Sequence, residues 1–520
     1  MTIPVSMLVT SPIVVPLLTA VLATLAYRRP ALQRAISFAG ILALLACAVV
    51  LVQFAIEGRP LAVSFGGWEA PFGIEFKVDR LGAIMVLLTA LMGLAALVFQ
   101  IGDPETNPET NPETSPRTNP RTNLRTNPET NSRSASRSPF VLPLLHGMLI
   151  GVGGAFVTAD LFNMYVWFEV MLIGVLGLFA AGGRLDQLEA TFKYFVLNVA
   201  GTLLLVVAVG AVYAVTGQLN FAALSEAAAF LSPGMALLLL ASLGVAFLVK
   251  AGAFPLFAWL PAAYHTLPGP VLALVAGLLT KVGVYALLRV FGDVFAPAPE
   301  AALDLALGAL GWIAAATMLT GVLGAAYHWD MRRILGFHII SQIGYMLLGI
   351  ALGTDTGNGG TLFYTAHHII VKANLFFIAA IVWRMTGSYD LRKIGGLANA
   401  RPALAVVFAI PALSLVGIPP LSGFWAKLIV LREALALGHV AWTVVALVVS
   451  FLTLYSMMKI WMEAFWKPHP DPSRPLEARG LAPAWCVTVG LALVTVAIGL
   501  FPEALAAYCM AAAAEIGGVP

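Results

Sequence analysis

Charged residues are scarce in this sequence of 520 residues. Asp, Glu, Lys and Arg make up 11% of it and hydrophobic residues 60%, whereas a soluble globular chain has about 25% charged residues. Apolar runs of the ~20 residues that a membrane-spanning helix needs recur along almost the whole chain. This composition excludes a water-soluble globular protein and predicts a polytopic membrane protein.

Cysteines and the motifs of common enzyme classes are also scarce or missing. Cys47, Cys486 and Cys509 have neither pairing nor metal-ligand spacing. No GxGxxG follows a strand, and the sequence has no P-loop and no HExxH. We therefore predict no cofactor, no metal site and no redox or nucleotide chemistry in this chain, which leaves ion movement as its expected activity.

Hydropathy predicts an all-α protein of about fourteen transmembrane helices, here called spans 1 to 14. The predicted spans are 5–27, 35–57, 79–101, 140–158, 161–181, 191–216, 235–258, 266–292, 301–326, 332–353, 360–384, 402–431, 440–466 and 482–509.

Basic residues are distributed unequally between the connections. Of the 29 Lys and Arg, five lie in even-numbered connections and five in spans, and the rest lie in odd-numbered connections. The five in even-numbered connections are Arg59, Lys77, Arg80, Arg289 and Arg432. Because basic loops stay on the cytoplasmic side, this predicts a bacterial inner-membrane protein with both termini on the outer side.

The segment 103–138 differs from the rest of the chain. It is a series of tetrapeptides such as NPET, NPRT and NSRS, rich in Pro, nearly free of apolar residues and balanced in charge. Such a composition predicts a disordered cytoplasmic loop between spans 3 and 4. A regulatory tether is the alternative to a repeat expansion tolerated in a surface loop.

Spans 7 and 12 are both interrupted, at Phe254-Pro255-Leu256 and at Gly417-Ile418-Pro419-Pro420. A five-helix offset between two broken helices is typical of inverted repeats in transporters, although proline kinks are the simpler alternative. We predict two inverted five-helix repeats, made of spans 4–8 and 9–13. The predicted divisions are 1–102 (spans 1–3), 103–138 (the loop), 139–292 (first repeat), 301–466 (second repeat) and 467–520 (span 14).

Glu169 and Lys250 are ionisable residues predicted to lie deep in the membrane. Glu169 lies within LFNMYVWFEVMLIGVLGLF of span 5, and Lys250 lies five residues before Pro255 in span 7. A charge near the bilayer centre is costly and usually has a partner, so we predict that the two pair with each other. Separating the pair would weaken proton binding by the lysine, which suits a proton switch. A structural ion pair is the alternative.

Further buried titratable residues lie on spans 8, 11 and 12. Lys281 has apolar residues on both sides, and Lys427 follows the Pro419-Pro420 break. In span 11, Tyr364, His368 and Lys372 are spaced i, i+4 and i+8 and share one helix face. A histidine that titrates near neutrality suits a proton relay. No Cys, Asp or Glu accompanies the histidines, which disfavours a metal site.

Other titratable residues have weaker sequence contexts. His367 points about 100° away from the shared face and is expected to be structural. Lys459 lies near the end of span 13 and is expected to reach the interface. His146, His338 and Glu463 are expected to be packing or surface residues, with His338 the strongest exception.

Four stretches resemble a known family: DLFNMYVWFEVMLIG (160–174), LVKAGAFPLFAWLPAAYHTLPGPVLALVAGLLTKVGVYALLRV (248–290), SQIGYMLLG (341–349) and LVGIPPLSGFWAKLIVL (415–431). They are similar to the antiporter-like subunits shared by Mrp-type cation/proton antiporters, respiratory complex I and membrane-bound hydrogenases. The Mrp type is favoured because Lys427 stands at a position where one of the related complex I subunits commonly has Glu.

The resemblance implies fourteen helices with inverted repeats and discontinuous spans 7 and 12. It implies a proton path through Glu169, Lys250, Lys281, His368, Lys372 and Lys427. It also implies a protein that works within a complex of other membrane subunits and exchanges protons for Na⁺ or K⁺, with no nucleic acid partner. A proton-pumping subunit of complex I or of a membrane-bound hydrogenase is the alternative, and a structural scaffold is a third hypothesis.

Overall fold

A computed structural model describes residues 4–68, 72–101, 138–471, 476, 478 and 480–516. The tetrapeptide segment 103–138, apart from Ser138, lies outside these residues, so its disorder stays a prediction. The helices are α1 (Val5–Leu25), α2 (Pro30–Ile56), α3 (Arg80–Ile101), α4 (Val141–Val157), α5 (Leu161–Ala180), α6 (Leu185–Thr216), α7 (Phe221–Ala228), α8 (Pro233–Ala251), α9 (Trp259–Ala263), α10 (Gly269–Arg289), α11 (Glu300–Tyr327), α12 (Met331–Ala351), α13 (Asp355–Thr386), α14 (Leu397–Ala400), α15 (Pro402–Val416), α16 (Ser422–Ala436), α17 (Val440–Ile460), α18 (Ala482–Leu500) and α19 (Pro502–Ile516).

Twelve helices in the described part of the chain are long and apolar enough to cross a membrane. The helices α4 and α15 are also apolar but shorter, with 17 and 15 residues. The predicted total of fourteen spans includes both and stays a prediction. Predicted span 14 is divided in two, because the helix ends at Leu500 and restarts at Pro502, whose ring occupies a first helical position.

A small hairpin departs from the all-α prediction. Strand β1 (Leu61–Ser64) pairs antiparallel with β2 (Glu75–Val78), with Leu61 opposite Val78. Phe76 of β2 also bridges to Thr158, just after α4. The strands have four residues each, too few for a periodicity of two to stand out in sequence. The hairpin therefore anchors the connection between α2 and α3 to the helical body.

The two predicted helix breaks have the same local geometry. Helix α8 is capped by Gly252, with φ of 74°, and the amides of Gly252 and Ala253 donate to the carbonyl of Leu248. Helix α15 is capped by Gly417, with φ of 97°, and the amides of Gly417 and Ile418 donate to the carbonyl of Leu413. A left-handed glycine closes each helix because it tolerates positive φ without a clash at Cβ.

The prolines follow directly after these closures. Phe254–Pro255 and Pro419–Pro420 are both cis peptide bonds. Helical structure resumes in α9 after the first break and in α16 after the second. Predicted spans 7 and 12 are therefore discontinuous, as the sequence indicated.

A second set of contacts recurs 170 residues apart. Asp160 caps α5 and bridges to Asn220, after the end of α6, while Asp330 caps α12 and bridges to Asp390, after the end of α13. Each aspartate accepts hydrogen bonds from amides in the first turn of its helix, as N-cap residues do. This recurrence supports the predicted pair of repeats, whose boundaries and inversion stay predictions.

Helices α10, α12 and α13 form the centre of the molecule. Nearly every residue along them is buried, whereas α1, α2 and α6 expose most of their length. The helices α10 and α12 both contact α13. Polar side chains on these three helices are therefore shielded from lipid, which is the condition under which a membrane protein tolerates them.

Candidate functional site

Glu169 and Lys250 are joined through a third residue. The hydroxyl of Thr202, on α6, donates to Oε1 of Glu169 at 2.6 Å and accepts from Nζ of Lys250 at 2.6 Å. Lys250 also donates to the carbonyl of Asn198 at 3.1 Å. No ion pair within 4.0 Å joins Glu169 to Lys250, both of which are described. Glu169 and Lys250 are therefore partners through the hydroxyl of Thr202, which α6 places between the two side chains, and not by direct contact.

Lys250 lines a small internal cavity. Tyr194 and Asn198 of α6, Phe168 of α5 and Trp259 of α9 share its lining. The volume of this cavity that the centre of a water molecule can occupy is ≈ 10 Å³. The cavity therefore has room for about one water molecule. The ammonium also lies 5.9 Å from the ring centre of Phe168. The lysine thus borders a small, mostly apolar cavity in which Asn198 and Tyr194 supply further polar groups.

Lys281, His368 and Lys372 come together where α10 packs against α13. All three side chains are completely buried, and they lie close enough for their charges to interact. Nζ of Lys281 donates to the carbonyl of Ala276 at 2.8 Å. Among the described residues, Nζ of Lys372 and both ring nitrogens of His368 have no hydrogen-bond partner.

Lys427 lies one turn and a half into α16, after the second break. Its Nζ donates to the carbonyl of Val416 at 2.8 Å and to the hydroxyl of Ser450 at 2.9 Å. The same Nζ lies 4.6 Å from the ring centre of Tyr345, and the hydroxyls of Tyr345 and Ser450 are 2.7 Å apart. Lys427 thus forms hydrogen bonds to the end of α15 and to Ser450 of α17, and it also contacts the ring of Tyr345 on α12.

Tyr364 is turned toward α12 rather than toward His368. Its ring stacks on that of Tyr345, with centres 5.5 Å apart, and its hydroxyl donates to the side-chain oxygen of Gln342. His367 bonds the hydroxyl of Ser422, at the start of α16, at 2.8 Å. His367 therefore links α13 to the second half of the broken helix, and its structural role stays a prediction.

His338 is more central than its sequence context indicated. It is completely buried on α12, its Nε2 lies 2.9 Å from the hydroxyl of Ser456, and it lies within electrostatic range of Lys372 and Lys427. It lies on a different helix from both lysines. The structure thus places His338 near two residues of the predicted proton path.

Arg289 was assigned to a connection by the sequence, and that assignment is wrong. It is the last residue of α10 and only 5% exposed. Its guanidinium contacts both oxygens of Asp79 at 2.7 Å and the carboxylate of Asp293 at 3.2 Å. Burial by itself would raise the pKa of Asp79, but Arg289 and the amide of Gly82 bring it below its ordinary value.

Lys459 binds the end of α11, a helix that is long and apolar enough to cross a membrane. Its Nζ donates to the carbonyls of Ala326 and His328 at 2.7 and 2.6 Å, and it lies 5.1 Å from the ring centre of Trp329. These carbonyls belong to the end of α11, where free carbonyl groups and the helix dipole favour a cation. Lys459 is therefore a capping residue of α11, and both its predicted reach to the interface and its place outside the proton path stay predictions.

Sequence reasoning missed Thr202, Ser450, Tyr345 and Gln342 because hydroxyl and amide side chains are common in membrane helices and carry no local signal. The predicted ionisable residues form two groups, one around Glu169 and Lys250 and one around Lys281, His368 and Lys372, with Lys427 at the second break. The structure thus defines a class: a polytopic helical membrane protein with two interrupted helices and a buried series of amines.

Known proteins match this chain along almost its whole length. The family model described as "NADH:quinone oxidoreductase/Mrp antiporter, TM" matches residues 158–453. The D subunit of the Na(+)/H(+) antiporter of Alkalihalophilus pseudofirmus is 37% identical over 98% of this chain and 97% of its own length. The protein of the same name from Bacillus subtilis is 34% identical over 89% and 88%.

Solved structures agree with these relatives. A chain of the Mrp complex from Dietzia sp. superposes with a TM-score of 0.86 at 32% identity, over 99% of this chain and 98% of that one. A chain of respiratory complex I from Thermus thermophilus shares the fold, with a TM-score of 0.79 at 23% identity over 99% and 100%. This chain belongs to the NADH:quinone oxidoreductase/Mrp antiporter transmembrane family, which confirms the resemblance seen in the sequence.

Proposed function

We propose that this chain is the proton-translocating subunit of a multi-subunit Na⁺(K⁺)/H⁺ antiporter of the Mrp type. In this proposal Glu169 and Lys250 are the switching pair, and Lys281, His368, Lys372 and Lys427 are the relay. Two relatives that match nearly the whole chain are named as the D subunits of Na(+)/H(+) antiporters. The chain is then part of a secondary transporter and has no redox centre of its own.

The observation that carries the proposal is the lack of counter-ions around the buried amines. No carboxylate of a described residue lies within 4.0 Å of Lys281, Lys372 or Lys427. A structural clamp needs an ion pair, because a buried charge without a partner is strongly destabilising. Buried amines that lack a carboxylate partner are therefore better explained as groups that gain and lose a proton.

The partners and the location follow from the same proposal. The matched Dietzia chain is part of an Mrp complex, so we infer that other membrane subunits assemble with this one. The bacterial relatives support a bacterial cell membrane, and the basic residues of the odd-numbered connections support termini on the outer side. The exchanged ions would be protons and Na⁺ or K⁺.

Glu169→Gln and Lys250→Ala test the proposal. Each variant is expressed with its partner subunits, and proton movement driven by Na⁺ or K⁺ is measured in membrane vesicles with a pH-sensitive dye. Both should abolish exchange while membrane insertion and assembly, followed by co-purification of the subunits, stay at the wild-type level. Normal exchange in either assembled variant contradicts the assignment.

A redox-driven proton pump is the second candidate. The fold is shared with complex I and with a chain of the membrane-bound sulfane sulfur reductase, which superposes with a TM-score of 0.85. Purification of the native complex separates the two candidates. Small membrane subunits that co-purify support the antiporter, and subunits that carry flavin or iron–sulfur clusters support the pump.

A further inference from the structure

Thr202 has an unusual hydrogen-bonding arrangement for a threonine in a helix. A helical threonine commonly donates its hydroxyl to the backbone carbonyl four residues earlier. Thr191 and Thr216, the other two threonines of α6, do so, with the carbonyls of Gln187 and Val212. The hydroxyl of Thr202 instead donates to Glu169.

Lys250 explains why the ordinary bond is absent. The carbonyl that Thr202 would use belongs to Asn198, and Nζ of Lys250 donates to that carbonyl at 3.1 Å. The ammonium thus occupies the usual acceptor and binds the hydroxyl oxygen as well, at 2.6 Å. The hydroxyl hydrogen is then directed to Glu169 at 2.6 Å. The three groups form one chain with a single direction of donation.

The internal repeat gives an independent reason to single out this position. The hydroxyl of Thr216 donates to the carbonyls of Val212 and Gln218, and that of Thr386 makes the same two bonds 170 residues later. This offset places Thr202 of α6 at the position of Lys372 in α13, and Asn198 at that of His368. The residues that bind Lys250 therefore correspond to two residues of the proposed relay.

We propose that the Thr202 hydroxyl is the proton conductor between Lys250 and Glu169, an inference that rests on the proposed function. A proton leaves Nζ of Lys250 for Oγ1 of Thr202, while the original hydroxyl proton of Thr202 passes to Oε1 of Glu169. One N–H and one O–H bond break, and two O–H bonds form. The products are a neutral amine, an unchanged threonine and a neutral carboxylic acid, so no other reactant is needed.

Three threonine variants separate conduction from packing. Valine has nearly the shape of threonine without the hydroxyl, whereas serine keeps the hydroxyl and loses a methyl group. Thr202→Val should lower the exchange rate of the assembled complex in vesicles by at least about tenfold, and Thr202→Ser should restore most of it. Thr191→Val, on the same helix and bonded only to its own turn, is the matched control and should exchange as wild type does.

The opposite order of effects would overturn the inference. If Thr202 only fills space, the Thr202→Val variant will exchange normally, and the Thr202→Ser variant will lose activity or thermal stability. Lys250→Ala and Glu169→Gln are measured in the same vesicles. If both abolish exchange while Thr202→Val does not, the hydroxyl is not the conductor and the proposed function stands. If Lys250→Ala exchanges normally, the proposed function itself fails.

Discussion

Asp79 and Arg289 form a two-pronged buried ion pair that joins the start of α3 to the end of α10 across 210 residues of sequence. The side chains are 7% and 6% exposed. Both charges lie away from water, so each depends on the other for its stability. Asp293 is a weaker second partner, one oxygen at 3.2 Å from the guanidinium.

Asp79→Asn should lower the free energy of unfolding by about 3 kcal/mol, since it leaves the Arg289 charge buried and short of a partner. The matched control is Glu57→Gln, because Glu57 and Arg59 form an exposed pair at 3.5 Å whose loss should change stability by about 0–1 kcal/mol. Thermal unfolding of the purified protein in detergent measures both. Equal shifts in the two variants would contradict the buried-pair interpretation.

His265 should make the stability of the protein depend on pH. It lies in the short turn after α9, where burial and the charge of Arg333 lower its pKa to about 4. Its Nε2 accepts from Arg333 at 3.2 Å, and Nδ1 donates to the carbonyl of Pro261 at 3.1 Å. The folded protein therefore holds the neutral ring, whereas the unfolded chain takes up a proton near pH 6.5.

The stabilising contribution of neutral His265 is complete above pH ~6.5 and is lost as the pH falls toward ~4. Measured melting temperatures should decline over this interval in the wild type. His265→Gln, which cannot take up a proton, should decline less steeply between the same two pH values. Parallel curves for the two proteins would show that His265 does not titrate differently on folding.

Lys459→Met should weaken the protein without stopping exchange. The variant leaves the carbonyls of Ala326 and His328 without their charged donor, which should cost about 2 kcal/mol. Lys427→Met is the comparison, because it removes a proposed relay residue. Exchange per assembled complex should persist in the first variant and be lost in the second; loss in both would place Lys459 in the path.

Gly174 allows α5 to approach α4 closely. A Cβ at this position would lie 2.6 Å from the backbone nitrogen of Met148, so Gly174→Ala forces the helices apart and should destabilise by about 1–3 kcal/mol. At Gly147, a Cβ would meet no atom within 4 Å. Gly147→Ala should therefore be close to neutral in the same thermal unfolding assay, and a comparable loss there would contradict the packing argument.

Replacing residues 103–138 with a short Gly/Ser linker should leave exchange intact. The linker must reach from the end of α3 at Ile101 to the start of α4 at Val141, and a flexible chain imposes little on either helix. Vesicle exchange is measured alongside insertion. An inserted variant that does not exchange would favour the regulatory-tether hypothesis.

Local signals explain which features could be predicted. Glycine followed by proline at 252–255 and 417–420 marks the two breaks, because each residue acts on its own stretch of backbone. The burial of Lys250, Lys281 and Lys427 was evident from their apolar neighbours. The hairpin was not predicted, since strands of four residues have too little pattern, and Arg289 was misplaced because it is close to a helix end.

Local segments of the sequence were enough to predict a polytopic helical membrane protein, the positions of its helix breaks and the residues that are costly to bury, because hydropathy and backbone preference are properties of single segments. Which side chains meet is visible only in the folded protein, where Thr202 contacts Glu169 and Lys250, Arg289 contacts Asp79, and His338 lies near Lys372. The reason is physical. A membrane helix that is apolar on all sides has no periodic face to show which side packs inward, so contacts between helices depend on packing that no single segment encodes.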